Sequence, residues 1–166
     1  MRKLVLLISL ISITICACAQ DTTINPAIPH YKILKPDSTY STWNDLKKDI
    51  PVLIIYFSPD CPHCQHLMAE MKENMAPFKN IQVVMITFTR TQYPYMNMMR
   101  NFVRDYSLTK YKNITMGTEY PNYMVQKYYH VATTPFIAVY DRKGKMVQSF
   151  DKPPKVDALI AAVKKV

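Results

Sequence analysis

Cys61 and Cys64 stand two residues apart in Cys61-Pro62-His63-Cys64, and a pair so spaced can close a small disulfide ring or open to two thiols. Exchange needs a thiolate, and a free cysteine of pKa ~8.5 is only a few per cent ionised at neutral pH. The motif follows the apolar run Val52–Phe57 and the turn Ser58-Pro59-Asp60. After it, Cys64, Leu67, Met68, Met71, Met75 and Phe78 recur every three or four residues. The pattern predicts a buried strand, a turn and a helix over about 62–76, with Cys61 at the helix start. Unpaired N–H groups and the helix dipole favour a negative sulfur there. Cys61 is therefore the candidate nucleophile, and Cys64, one turn in, the thiol that resolves a mixed disulfide. Pro62 has no N–H to lose at the first helical position. His63 brings a hydrogen-bond donor or a positive charge beside the sulfur, whereas Asp60 opposes ionisation unless its side chain turns to solvent.

The compartment decides how such a pair is read. Met1-Arg2-Lys3 is a short basic start, and residues 4–15 are an apolar run too short for a permanent membrane span, so residues 1–18 read as an export signal. Ile15-Cys16-Ala17-Cys18 resembles a lipoprotein signal in which Cys18 is lipidated. Ala17-Cys18-Ala19 also fits a small-x-small site cut before Gln20. Either cut leaves Cys61 and Cys64 as the free thiols of an exported, periplasmic chain, where disulfides persist. Residues 19–30, with Pro26 and Pro29, are expected to be a tether, and residues 31–166 one domain.

The 49% hydrophobic and 20% charged residues of the full chain exclude a disordered protein, and two glycines leave no material for a glycine-rich phosphate loop. The formal charge of +9 falls by two when Arg2 and Lys3 leave. The remaining basic residues are scattered, so no nucleic-acid partner is expected. Periodicity predicts an edge strand at 31–34, a short helix through Lys48 capped by Ser41 or Thr42, the central strand Val52–Phe57, a strand at 81–88 and helices at 95–106 and 122–129. Beyond them come the hairpin Phe136–Tyr140 and 145–150 around Gly144, and a final helix at 155–165. This is an α/β domain with a mixed sheet. Thr133-Thr134-Pro135 precedes an interior strand. A proline is awkward there unless its bond is cis or it faces an open site, and a backbone in that place could pair with an extended substrate.

Phe57-Ser58-Pro59-Asp60-Cys61-Pro62-His63-Cys64, the following helix, Thr134-Pro135 and the Asp141-Arg142-Lys143-Gly144-Lys145 turn together resemble the thioredoxin superfamily. The segments around 95–106 and 113–129, placed before the proline, resemble its exported TlpA-like branch. The resemblance implies a central mixed sheet flanked by helices, with an N-terminal extension and a helical insertion before the proline. It also implies a cis Pro135 facing the cysteines, with Thr134 and Pro135 meeting the substrate. The activity implied is thiol–disulfide exchange with protein partners of the cell envelope, coupled to a redox partner at the membrane and needing no cofactor. Two positions depart from the family pattern. Ile55 stands where a buried acid helps move protons, and Asp60 replaces an aromatic residue. Pro62-His63 is similar to the oxidising DsbA proteins while TlpA-like relatives more often reduce, so direction stays open. The rival reading is copper handling, in which the dithiol, His66 and some of the 11 methionines hold Cu(I). Met68, Met71, Met75, Met96 and Met99 instead follow helical stripes, which predicts core packing. A closed zinc site would need a second ligand pair, and none is expected.

Overall fold

The computed structural model describes residues 27–166. The expected export signal and its Cys18 lie outside the described residues. Seven strands form one mixed sheet: β1 (Lys32–Leu34), β2 (Tyr40–Thr42), β3 (Val52–Phe57), β4 (Gln82–Thr87), β5 (Ile114–Thr118), β6 (Phe136–Tyr140) and β7 (Met146–Phe150), in the order β2-β1-β5-β4-β3-β6-β7. The helices are α1 (Pro62–Glu73), α2 (Tyr95–Asp105), α3 (Met124–Tyr128) and α4 (Val156–Val163). β3 runs parallel to β4 and β4 to β5, while β6 lies antiparallel to β3.

The apolar run of β3 is unbroken because both its faces are covered. Successive side chains of a strand point to opposite sides. Leu53, Ile55 and Phe57 join the core made with α1, α2 and α4, and Val52, Ile54 and Tyr56 join a second core with Tyr31, Val125 and Tyr129. Met68, Met71, Met75, Met96 and Met99 all lie in the first core, as their spacing predicts. No helix among the described residues is long and apolar enough to cross a membrane.

Several elements differ from expectation. Residues 31–34 do not form the edge: β2 covers β1, a three-residue strand whose neighbours Pro36 and Asp37 hide the hairpin. The helix expected through Lys48 is only a turn at Trp43–Asp45. Asp45 takes the Thr42 N–H at 2.7 Å, but Lys47 N–H is drawn to the Gln82 side chain at 2.6 Å and Asp49 has a positive φ, so the turn cannot propagate. α1 stops at Glu73, and 76–78 forms a separate 3-10 turn through Pro77. Within the insertion, Ile114–Thr118 is a sheet strand that the pattern did not reveal. Its Gly117 lies under Leu34, whose carbonyl oxygen would stand 2.8 Å from a Cβ, so only glycine permits this approach. β5 thereby moves β3 off centre, and β4 holds the middle position. Of the segment expected as a tether, Ala27 bridges Lys145 and His30 stacks on Trp43 with centroids 4.0 Å apart.

Candidate functional site

β3 ends at Phe57, and the chain turns at once into α1. Cys61 N–H donates to Ser58 O at 3.1 Å, Gln65 N–H donates to Cys61 O at 3.0 Å, and the Gln65 side chain donates to Pro59 O at 2.8 Å. These bonds hold Cys61 as the extended residue that caps α1, with Pro62 at the first helical position. Cys61 is half-buried, while Cys64 is only 3% exposed beneath it. The Thr134–Pro135 bond is cis, and the Cys61 thiol donates to the Thr134 carbonyl at 3.4 Å. The fold thus brings Cys61, Cys64, Thr134 and Pro135 together from residues 73 apart in sequence.

The two sulfurs differ in acidity. For Cys61, burial disfavours the thiolate, but hydrogen bonding with Thr134, the Cys64 thiol and the N–H groups of Cys64 and His63 outweighs it and brings the pKa below the ordinary thiol value. The Thr134 carbonyl accepts from the protonated thiol only, so the groups that hold the ionised sulfur are the Thr134 side-chain hydroxyl, the Cys64 thiol and the two N–H groups. For Cys64, burial dominates and the thiol is pushed up to about 12, with the Ser58 N–H offsetting only part of it.

His63 contributes its backbone N–H, and its imidazole is exposed. Asp60 is exposed too, and its carboxylate accepts from the Ser58 hydroxyl instead of facing the thiol. His66 is a surface residue paired with Glu70 at 3.6 Å. Among the described residues, no group of three or more His, Cys, Asp and Glu is arranged to hold a metal ion.

Ile55 borders a void of about 10 Å³ beside Cys64 that is closed by Phe57, Met68, Met85 and Pro135. The space is at the lower limit for one water, and the side chains that line it are carbon and sulfur. The buried acid of this molecule lies elsewhere. Glu119, 3% exposed, sits on the opposite face of the sheet. It accepts from Tyr56 OH at 2.8 Å and from the N–H groups of Val125 and Gln126 at 2.6 and 3.1 Å. Sequence reasoning missed it because a lone glutamate before Tyr120-Pro121 carries no pattern.

The sequence matches the thioredoxin-like domain family over residues 46–164. The chain belongs to this family. Among solved structures, it is similar to a secreted Mycobacterium tuberculosis disulfide oxidoreductase homologous to Escherichia coli DsbE, with 19% identity over 82% of this chain and 96% of that one, TM-score 0.67. A thiol-disulfide oxidoreductase from Bacteroides fragilis shares 13% identity over 84% and 98%, TM-score 0.66. The pneumococcal exposed lipoprotein thioredoxin of Streptococcus pneumoniae shares 18% over 82% and 99%, TM-score 0.61. No curated protein sequence matches the chain. The expected fold and enzyme class, a thiol–disulfide redox enzyme of the thioredoxin superfamily, agree with this membership. At these identities the structural likeness itself carries the fold.

Proposed function

We propose that this thioredoxin-like chain exchanges disulfides with exported protein partners through Cys61, with Cys64 resolving the intermediate. The observation that carries the reading is the division of labour between the sulfurs. An accessible sulfur of lowered pKa lies against the Thr134 carbonyl, and one turn behind it is a buried thiol held protonated. In the reducing direction, the Cys61 thiolate attacks one sulfur of the partner disulfide and the other sulfur leaves as a thiolate. Cys64 then loses its proton and attacks Cys61 Sγ, releasing the partner's second thiolate and closing the Cys61–Cys64 disulfide. Two electrons have passed to the partner. The outgoing thiolate takes up the Cys64 proton, since Ile55 offers no carboxylate. The oxidising direction is the same path reversed. The Thr134-Pro135 backbone seats the partner's extended chain, and Pro62 and the His63 N–H maintain the helix start.

The basic and apolar leader supports export, and the Ile15-Cys16-Ala17-Cys18 box supports a lipid anchor on Cys18. In this reading the domain works in the periplasm, tethered to the membrane, and trades electrons with a redox partner there. Cys64→Ser should leave Cys61 joined to partners, and non-reducing electrophoresis of envelope extracts should show mixed disulfides that vanish in the Cys61→Ser, Cys64→Ser double variant. Recovery of no adducts, together with a Cys61 inert to iodoacetamide in the reduced folded protein, would overturn the reading.

A further inference from the structure

Beside Cys61 a cleft of about 370 Å³ opens, with Ser58 and Asp60 on one wall and Phe88, Arg90, Tyr95 and Tyr123 on the other. The wall formed by Ser58 and Asp60 is the chain that leads directly into the nucleophile, so the cleft ends one residue before Cys61. Three of the six large exposed apolar residues among those described, Phe88, Tyr93 and Tyr95, fall in the one segment 88–95, which runs from the end of β4 to the first residue of α2. Apolar surface gathered in this way marks a contact site, whereas scattered exposed residues do not.

The wall is held firmly. Phe88 stacks on Tyr56 with centroids 6.1 Å apart, Tyr56 OH is bonded to Glu119, and Glu119 also takes the first N–H groups of α3, which follows Tyr123. Thr118 Oγ1 donates to Thr89 O at 2.6 Å and ties the segment to β5. The Arg90 guanidinium lies over the Tyr95 ring at 5.8 Å, and no carboxylate of the described residues pairs with it. The Asp60 carboxylate across the cleft is engaged by Ser58.

From this arrangement we infer that the cleft selects partners by the residues beside their cysteine. It takes a polypeptide segment whose target cysteine is flanked by an aromatic side chain and an acidic one. The aromatic ring packs on Phe88, Tyr95 and Tyr123, and the carboxylate meets Arg90, whose planar fork suits it. The inference rests on the exchange reading above and adds the partner class to it.

Two short peptides, each with one cysteine blocked as a mixed disulfide, test this: one flanked by Phe and Asp, the other by Ala and Lys. Hydroxyethyl disulfide, small and uncharged, is the reference. The protein should prefer the Phe/Asp peptide in kcat/KM, taken relative to hydroxyethyl disulfide, and the preference should arise in KM. Arg90→Glu should lower the relative kcat/KM for the Phe/Asp peptide by about five- to tenfold, the size of one partly exposed charge contact made repulsive. A matched peptide flanked by Phe and Lys should gain on that variant. The double variant Phe88→Ser, Tyr95→Ser should lower the Phe/Asp and Phe/Lys peptides alike. Equal use of all peptides by the unaltered protein, or losses in Arg90→Glu that ignore peptide charge, would overturn the inference. A protein that reduces the peptides unselectively yet reacts with hydroxyethyl disulfide would refute the cleft's role and leave the exchange reading standing. Failure to react with hydroxyethyl disulfide at all would remove both.

Discussion

The two faces of β3 each bury an ionisable group, and they treat it in opposite ways. On the α1 face, Cys64 lies beside a void of about 10 Å³ lined by carbon and sulfur side chains, and burial pushes its thiol up to about 12 although the Ser58 N–H offsets part of it. On the α3 face, the Glu119 carboxylate receives three hydrogen bonds from Tyr56, Val125 and Gln126. A buried polar group costs little when its partners are supplied and stays neutral when they are not. The molecule therefore keeps a hydrogen-bonded carboxyl group on one side of the strand and a proton-retaining thiol on the other. At the top of β3, Cys61 has both access to solvent and the support of the first N–H groups of α1.

The contrast breaks most sharply if a carboxylate is placed on the thiol's side. Ile55→Asp puts an acid into the apolar void and should cost about 3–5 kcal/mol at neutral pH, read by urea unfolding. A loss below about 1 kcal/mol would mean that water already reaches that space. Removing the carboxylate from the other face should do less. Glu119→Ala leaves two N–H groups and a tyrosine hydroxyl without their acceptor and should cost about 2–4 kcal/mol, while the alkylation rate of Cys61 stays within about twofold. A large change in Cys61 reactivity would show that the two faces are coupled.

Titration sharpens the comparison between the two thiols. Iodoacetamide should modify Cys61 with a rate midpoint below the ordinary thiol pKa, and Cys64 should stay unmodified until strongly alkaline pH. The signs for stability follow. A Cys61 pKa lower in the folded state adds stability above the unfolded thiol pKa, and this is lost as pH falls through the folded value. A raised Cys64 pKa makes the reduced protein lose stability as pH climbs from the unfolded thiol range of ~8.5 toward about 12, because the unfolded chain releases a proton that the folded one retains. Unfolding of the reduced protein between pH 7 and 10 checks the second sign. The smallest effect belongs to His63→Ala. The exposed imidazole leaves the backbone N–H in place, so the Cys61 alkylation rate should change by less than about threefold. A tenfold loss would assign the side chain the role that its backbone holds in this structure.

The legible parts of this molecule were those written in period and in short range. β3, α1, α2, the β6–β7 hairpin and α4 have apolar residues at the spacing of their own element, and all appear within a few residues of expectation. β5 escaped because Gly117 and the flanking threonines give it no alternation, its burial being set by Leu34 on a strand some eighty residues earlier. The turn at Trp43–Asp45 has the cap of a helix but not its length, since its continuation is overruled by Gln82, a residue on β4. The cleft beside Cys61 was invisible because Phe88 and Arg90 belong to one loop, Tyr95 opens α2, and Asp60 and Tyr123 arrive from two other loops.

What the chain determines by itself is local chemistry: two cysteines one helical turn apart at a helix start, a proline between them, and a strand apolar enough to be buried on both sides. These follow from spacing and backbone geometry, which neighbours along the chain settle. Only the folded molecule decides which sulfur ionises, because that depends on the depth at which each lies and on Thr134, brought from 73 residues away. It also decides where the buried Glu119 resides, since β3 alternates its side chains between two cores and Tyr56, which donates to Glu119, belongs to only one of them.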